Sequence, residues 1–394
     1  MNFPPQIIKK LNERAESNAL RTLKNNQFEF DFYSNDYIGF SSSVNIQNEV
    51  KNILSTTKLQ HGATGSRLIS GNFSLFEIAE NEIKTFHNSE SALLFNSGYD
   101  ANVGFFSCVP QRGDIILYDN YIHASIRDGI SLSLAQSFKF KHNNLEDLEK
   151  LLKKFSSTIH SIFIVTESVF SMDGDSPDLH QMTKLAEQYN AFLVVDEAHA
   201  LGVFGFQGCG LVQQLDLEEK VFARIVTYGK ALGCHGASIL GKDILRKYLI
   251  NFARSFIYTT AMSPHSVATI IAAYRELKTT DNIKKLHQNI SLFRDILKKS
   301  DKENVLNADI DDKEVKTEKK LKNYSFIESE SSIQAVILSG NDFVKQTAQK
   351  FQEKGFGVIP ILSPTVPKGQ ERLRICLHSF NSEKEIKELL NFSF

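Results

Sequence analysis

The chain has 394 residues, 42% hydrophobic and 23% charged, ordinary values for a globular protein long enough to hold two or three domains around a sizeable core. Lysine plus arginine (45) nearly cancels aspartate plus glutamate (46), which leaves no electrostatic case for nucleic acid or an anionic membrane surface. No run approaches the roughly 18 apolar residues of a membrane span and residues 1–10 lack an apolar signal core, so a cytoplasmic protein is expected.

In chain order, a helix is predicted over residues 6–23, with Ile7, Ile8, Leu11, Ala15 and Leu20 on approximately one face. Residues 28–33 alternate as a strand and lead into a turn-rich stretch, 34–39. Residues 61–71 are rich in glycines and hydroxyls, either a surface loop or a loop that wraps a ligand. Leu75, Phe76, Ile78, Ala79, Ile83 and Phe86 set a helix over 73–86. The apolar run 92–95 then breaks into Asn96-Ser97-Gly98-Tyr99 and another helical pattern. A strand, a glycine turn and a helix N-terminus make an anion site, because free N–H groups and the helix dipole point the same way. The GxxxxGK[ST] phosphate loop is absent.

The middle of the chain alternates strands (115–118, 162–166, 192–195, 222–226) with helices (124–134, 179–189). This pattern implies an α/β fold with a mostly parallel central sheet and helices on both faces. Ligands of such sheets sit at the carboxyl ends of the strands. Those ends carry Asp119 with His123, Glu167 with Ser171, Asp196 with His199, and Thr227 with Lys230. Singly, an acid there is a helix cap, a histidine a hydrogen-bonded structural group and a lysine beside glycines a solvated turn. Four consecutive strand ends bearing acid, base, hydroxyl and amine groups point to one site. Lys230 is its natural centre, fixed by a strand end and flanked by Gly229 and Gly233, which let a flat ligand approach.

Beyond Pro264 helices are predicted over 267–277 and 283–297, then a charge-rich solvated connection over 301–322. Strands at 333–338, 358–361 and 372–377 with helices at 343–354 and 383–390 suggest a small C-terminal α+β domain. The expected division is an N-terminal helix and strand segment (1–50), a large domain (51–282) and the small domain (283–394). The four cysteines lie far apart with no CxxC pair, so reduced, buried thiols are expected and no metal site.

The stretches 166–174 (TESVFSMDG), 196–199 (DEAH) and 227–230 (TYGK), in register from about Leu20 to the C-terminus, resemble the α-oxoamine synthase branch of the fold-type I pyridoxal-phosphate enzymes. Within it, 62–71 (GATGSRLISG), 364–367 (PTVP) and 372–375 (RLRI) are most similar to the members that form 8-amino-7-oxononanoate. The resemblance implies a decarboxylative condensation of L-alanine with pimeloyl-CoA or pimeloyl-ACP in biotin biosynthesis. Other branch members using glycine, a fold-type I aminotransferase and an inactive cofactor-binding scaffold are the alternatives.

It also implies roles. Lys230 would form the Schiff base with pyridoxal 5'-phosphate and move protons at the substrate α-carbon, which needs a neutral amine. Asp196 would hold the ring nitrogen protonated, His123 would stack on the ring, and His199 and Ser171 would bond on the ring-hydroxyl side. Gly98, Tyr99 and Thr227 would hold the phosphate, joined across a homodimer interface by Thr260. Arg374 would bind the amino-acid carboxylate; Arg21, Asn35 and Thr365 would contact substrate, and His123 is the first candidate to support the thioester oxygen. Ser168, where glycine is frequent, and Cys234-His235 in the lysine loop depart from the common pattern.

Overall fold

The computed structural model describes residues 3–23, 25, 27–57, 60–157, 159–307 and 320–394, with backbone alone for 301–307. The chain divides into two compact units: Asn35–Ser171 with Ser176–Ile283, and Met1–Ser34 with Met172–Asp175 and Lys284–Phe394.

The larger unit is built on seven strands: β1 (Ser91–Phe95), β2 (Ile115–Asp119), β3 (Gln136–Phe140), β4 (Ile162–Glu167), β5 (Phe192–Asp196), β6 (Ala223–Thr227) and β7 (Ala237–Gly241). Their order is β1-β7-β6-β5-β4-β2-β3. The pairs from β6 through β3 are parallel, and β7 runs antiparallel to both of its neighbours. Side chains alternate across a strand, and here both sets are buried. Leu93, Phe163, Val194 and Ile225 pack with Phe105, Phe106, Ile126 and Leu249 from helices on one face. Residues of the opposite parity, among them Leu94, Leu117, Ile164, Val195 and Val226, are also at most 1% exposed, so the sheet is covered on both sides. Such doubly covered parallel strands read as apolar runs, which is why four of them were visible in the sequence.

Two strands were not. β3 (QSFKF) is an edge strand with only Phe140 buried, so it lacks an apolar run; the helix after it, Leu145–Phe155, was missed with it. β7 follows the lysine loop directly as the returning arm of a hairpin.

In the other unit, Ile359–Ile361, Arg372–Cys376 and Ile333–Ile337 form a three-stranded antiparallel sheet in that order. Phe30–Asp31 pairs in parallel with Phe356–Gly357. The buried Arg372 pairs with Asp173, and Ser329 donates to the Gly174 carbonyl (2.8 Å), so residues 172–175 are tied to this unit despite their place in the sequence. The first helix is shorter than expected, Pro5–Glu16. Asn18 turns left-handed (φ 50°) and the Ala19 N–H donates back to the Arg14 carbonyl (2.8 Å), a closure that ends the helix regardless of Leu20. The strand expected over 28–33 contracts to Phe30–Asp31. The helix expected over 283–297 instead spans Asn282–Asn307; of the predicted charge-rich connection, 308–319 lie outside the described residues. The last helix, Glu383–Asn391, starts with a reciprocal Ser382/Glu385 capping box. All four cysteines are free, Cys209 and Cys376 buried and Cys108 and Cys234 half-buried, and no described helix is long and apolar enough to cross a membrane.

Phe105 is fully buried against the sheet, so Phe105→Ala should lower unfolding stability by about 3–5 kcal/mol in urea titrations. His87 is fully buried with Nε2 2.8 Å from the Tyr274 hydroxyl. Burial, then the Arg224 charge, holds its pKa well below the ordinary 6.5. Below that ordinary value the unfolded chain binds a proton that the folded chain refuses, so stability should fall as pH drops from about 6.5. The urea midpoint of His87→Gln should decline less steeply over that range; an identical slope would assign the loss to other groups.

Candidate active site

Four parallel strands end together at Asp119, Glu167, Asp196 and Thr227. Beyond these ends lies a cavity of about 170 Å³, bordered by Gly98, Tyr99, His123, Asp196, Thr227 and Lys230 together with Asn102, Ser125, Glu167, Ala198 and Ile225. Six of the sequence-predicted residues thus line one space.

Each is placed by local structure. Gly98 and Tyr99 open the helix Gly98–Cys108 (α1), whose N-cap Ser97 accepts from Asp100 N–H (3.0 Å). A Cβ on Gly98 would stand 3.3 Å from Thr227 Oγ1, so glycine keeps open the gap between helix terminus and hydroxyl. Thr227 Oγ1 donates to the Gly236 carbonyl (3.2 Å), and turning that hydrogen would redirect it to an anion. Asn102 lies one turn along α1 from Gly98 and so shares its face. Its Nδ2 donates to Asp196 Oδ2 (2.9 Å) and Ser125 Oγ (3.0 Å). Asp196 Oδ1 accepts from Ala198 N–H (2.9 Å), so two donors fix this carboxylate. Asn102 Oδ1 is a buried acceptor with no hydrogen-bond partner.

His123 caps the helix Ala124–Leu132, its Nδ1 accepting from Ser125 N–H (3.2 Å). Partial desolvation and then Lys230 lower its pKa, against the opposing Asp196 charge. The buried carboxyl of Glu167 accepts the His123 N–H (2.6 Å) and sits in register beside Asp196 on the neighbouring strand. Desolvation, then the Asp196 charge, pushes its pKa well above the ordinary 4.5, with Lys230 opposing. Burial beside a second carboxyl thus disfavours the charged form of Glu167.

Lys230 lies in the loop joining β6 to β7. Gly233 N–H donates to the Lys230 carbonyl and Cys234 N–H to Tyr228, both at 2.8 Å. Gly233 is left-handed (φ 60°), and a Cβ there would fall 2.2 Å from Ser41 N, so only glycine lets this loop pass so near residues 40–41. Lys230 Nζ is 2.7 Å from His199 Nε2. His235 points outward, exposed.

Of the other predicted residues in this unit, His199, Asn35, Ser171 and Thr260 are not among those bordering the cavity. His199 reaches it through Lys230. Asn35 accepts from the Tyr37 hydroxyl (3.1 Å), and Ser171 is half-buried. Thr260 is exposed, its carbonyl accepting from Asn96 Nδ2 (2.7 Å). In the other unit, Arg21 Nη2 donates to Thr365 Oγ1 (3.4 Å), and Arg374 is buried in the strand Arg372–Cys376. Sequence reasoning missed Asn102, Ser125 and Tyr37, and gave Glu167 no role of its own. The four-residue step from Gly98 to Asn102 was the available signal for the first; Glu167 stood at a strand end already noted.

The donor set suits pyridoxal phosphate: an amine for its carbonyl, a fixed carboxylate for its ring N–H, and a helix terminus with a hydroxyl for its phosphate. The glycine-held gap and the unpartnered Asn102 Oδ1 agree with a polar ligand there.

Comparison with known proteins agrees with this chemistry. The model of the family "Aminotransferase class I and II" matches residues 30–392. An 8-amino-7-oxononanoate synthase from Emericella nidulans is 41% identical, covering 91% of this chain and 87% of its own. The crystal structure of 8-amino-7-oxononanoate synthase from Francisella tularensis superposes with TM-score 0.73 at 30% identity, over 92% of this chain and 95% of that one. Serine palmitoyltransferase from Sphingomonas wittichii gives TM-score 0.83 at 26% identity, over 98% and 95%. The chain belongs to the α-oxoamine synthase family of fold-type I enzymes and is a pyridoxal-phosphate-dependent C-acyltransferase.

Proposed function

We propose that the protein condenses L-alanine with a pimeloyl thioester, carried by coenzyme A or acyl carrier protein, to give 8-amino-7-oxononanoate, carbon dioxide and the free thiol, a step of biotin biosynthesis. The observation that carries this reading is the convergence of Lys230, Asp196 and His123 on one cavity at the strand ends, in a chain 41% identical to a relative bearing that enzyme's name. When bound, pyridoxal phosphate supplies a carbonyl for amines and a ring that accepts the electron pair of an α-carbanion.

The chain's own groups do the rest. Gly98, Tyr99 and Thr227 hold the phosphate, with Thr260 serving the neighbouring site of a homodimer. Asp196 keeps the ring N–H in place, and Asn102 and Ala198 keep Asp196 in place. His123 covers the ring and its free nitrogen supports the thioester oxygen as charge develops there. Its backbone N–H is held by the Glu167 carboxyl (2.6 Å). Lys230 Nζ takes the α-proton of alanine and returns a proton to the same carbon after carbon dioxide leaves. Ser171 and His199 bond on the ring-hydroxyl side, Arg374 binds the alanine carboxylate, Asn35 contacts substrate, and Arg21 and Thr365 contact the acyl substrate.

With the cofactor supplied, the protein should show a visible absorption band that Lys230→Ala loses; an unchanged band would place the reactive amine elsewhere. Thiol release should be fastest with alanine and pimeloyl-CoA or its carrier-protein equivalent. Faster release with glycine and acetyl- or succinyl-CoA would assign a different acyl group, and conversion of the cofactor to its amine form without thiol release would assign a transaminase.

A further inference from the structure

Two features of the larger unit have no part in the roles above: the glycine- and hydroxyl-rich stretch 62–71, and Asn96 between β1 and α1. They meet at one peptide group. Asn96 Nδ2 donates to the Thr260 carbonyl (2.7 Å) and to Thr259 Oγ1 (3.0 Å). A backbone carbonyl only accepts, so the amide nitrogen must face it and the orientation of Asn96 is fixed. The N–H of the same peptide, that of Ala261, donates to the Gly65 carbonyl (3.0 Å). Both polar atoms of the peptide joining Thr260 to Ala261 are thus engaged from distant parts of the chain, which fixes its plane, while Thr260 stays exposed.

The supports of this peptide are themselves tied down. Ile69 N–H and Gly71 N–H both donate to the Ser66 carbonyl (3.0 and 2.9 Å), which closes residues 66–71 into a turn. A Cβ on Gly71 would stand 2.3 Å from the Gly65 carbonyl oxygen and 2.7 Å from Ala261 Cβ. Glycine there lets the two ends of the loop and residue 261 lie against one another. Arg67 anchors the loop: it pairs with the buried Glu80, its Nε donates to Asn72 Oδ1 (2.9 Å), and its guanidinium lies 4.0 Å from the centre of the Phe76 ring. Glu80 also accepts the Leu94 N–H (3.0 Å), so the loop is fastened to β1, the strand that Asn96 directly follows.

We propose that Asn96, with the loop 62–71, is a positioning residue for Thr260, holding it ready for the phosphate of the cofactor in the neighbouring subunit. Thr260 lies on a linker between the helices Arg254–Ile257 and Pro264–Leu277. A group on a linker must be ordered when it meets a ligand, and a peptide plane fixed beforehand removes most of that cost. Asn96 precedes Ser97, the N-cap of the helix that serves its own subunit's phosphate, yet its side chain acts on the segment that serves the other one. Its effect therefore falls across the interface. This inference rests on the homodimer and on the role of Thr260 proposed above.

Titration of the cofactor-free protein with pyridoxal phosphate, and with pyridoxal, which lacks the phosphate, tests it. Asn96→Ala should weaken pyridoxal phosphate about tenfold, the scale of one hydrogen bond to a charged group, and leave pyridoxal unchanged. Thr260→Ala should do the same, and the double variant should bind no more weakly than either single one. Mixed dimers isolated through two different tags show where the effect acts. With Asn96→Ala and Lys230→Ala on the same subunit, the remaining Lys230 site should bind pyridoxal phosphate about tenfold more weakly. With the two changes on opposite subunits, that site should bind as in a mixed dimer carrying Lys230→Ala alone. Equal weakening of pyridoxal, an effect confined to the subunit's own site, or no effect of Asn96→Ala where Thr260→Ala has one would overturn this inference alone. A monomeric chain, or wild-type binding by Thr260→Ala, would remove the role of Thr260 and this inference with it. Whether Lys230 carries the cofactor is read separately, by the visible band of Lys230→Ala.

Discussion

Parallel pairing is the constraint on which the rest of this protein depends. Once β2, β4, β5 and β6 run the same way and side by side, their carboxyl ends must arrive together, and whatever polar groups follow them share one place. Asp119, Glu167, Asp196 and Thr227 are separated by long stretches of sequence, yet Glu167 and Asp196 stand in register on adjacent strands. The apolar strands that enforce this contain almost no chemistry. The chemistry lies in the first residues after each of them.

That arrangement puts two carboxyls into one desolvated corner, and the structure gives them different surroundings. Asp196 receives Asn102 Nδ2 and Ala198 N–H, while Glu167 receives the His123 N–H. Desolvation, then the Asp196 charge, pushes the pKa of Glu167 well above its ordinary value. One carboxyl is thus fixed by a side-chain amide and a backbone N–H, and its neighbour anchors the backbone of His123. The lysine that opposes them is carried on the single antiparallel hairpin of the sheet, where glycine lets the loop run against residues 40–41.

Much of this was legible in the sequence, for physical reasons that also mark the limits. Strands buried on both faces must be apolar throughout, so 115–118, 162–166, 192–195 and 222–226 announced themselves, and the polar groups at their ends could be collected before any fold was known. Gln136–Phe140 could not be seen that way, because an edge strand has one neighbour and little burial. The first helix was overextended because periodicity carries no notice of a left-handed Asn18. Asn102 and Tyr37 were missed for a different reason. Each touches another side chain of the candidate site, Asn102 that of Asp196 and Tyr37 that of His199, and such contacts depend on distances that spacing along the chain does not encode. The attachment of residues 172–175 to the unit containing Arg372 was hidden likewise, since the ion pair with Asp173 joins residues far apart in sequence.

The central claim is that one lysine, Lys230, is the amine on which the cofactor is held. Borohydride reduction of the pyridoxal-phosphate-loaded protein, followed by proteolysis and peptide mass spectrometry, reads this without reference to substrate. The account predicts a pyridoxyl-phosphate adduct on the peptide containing Lys230. A stoichiometric adduct on another lysine, with Lys230 unmodified, would contradict it.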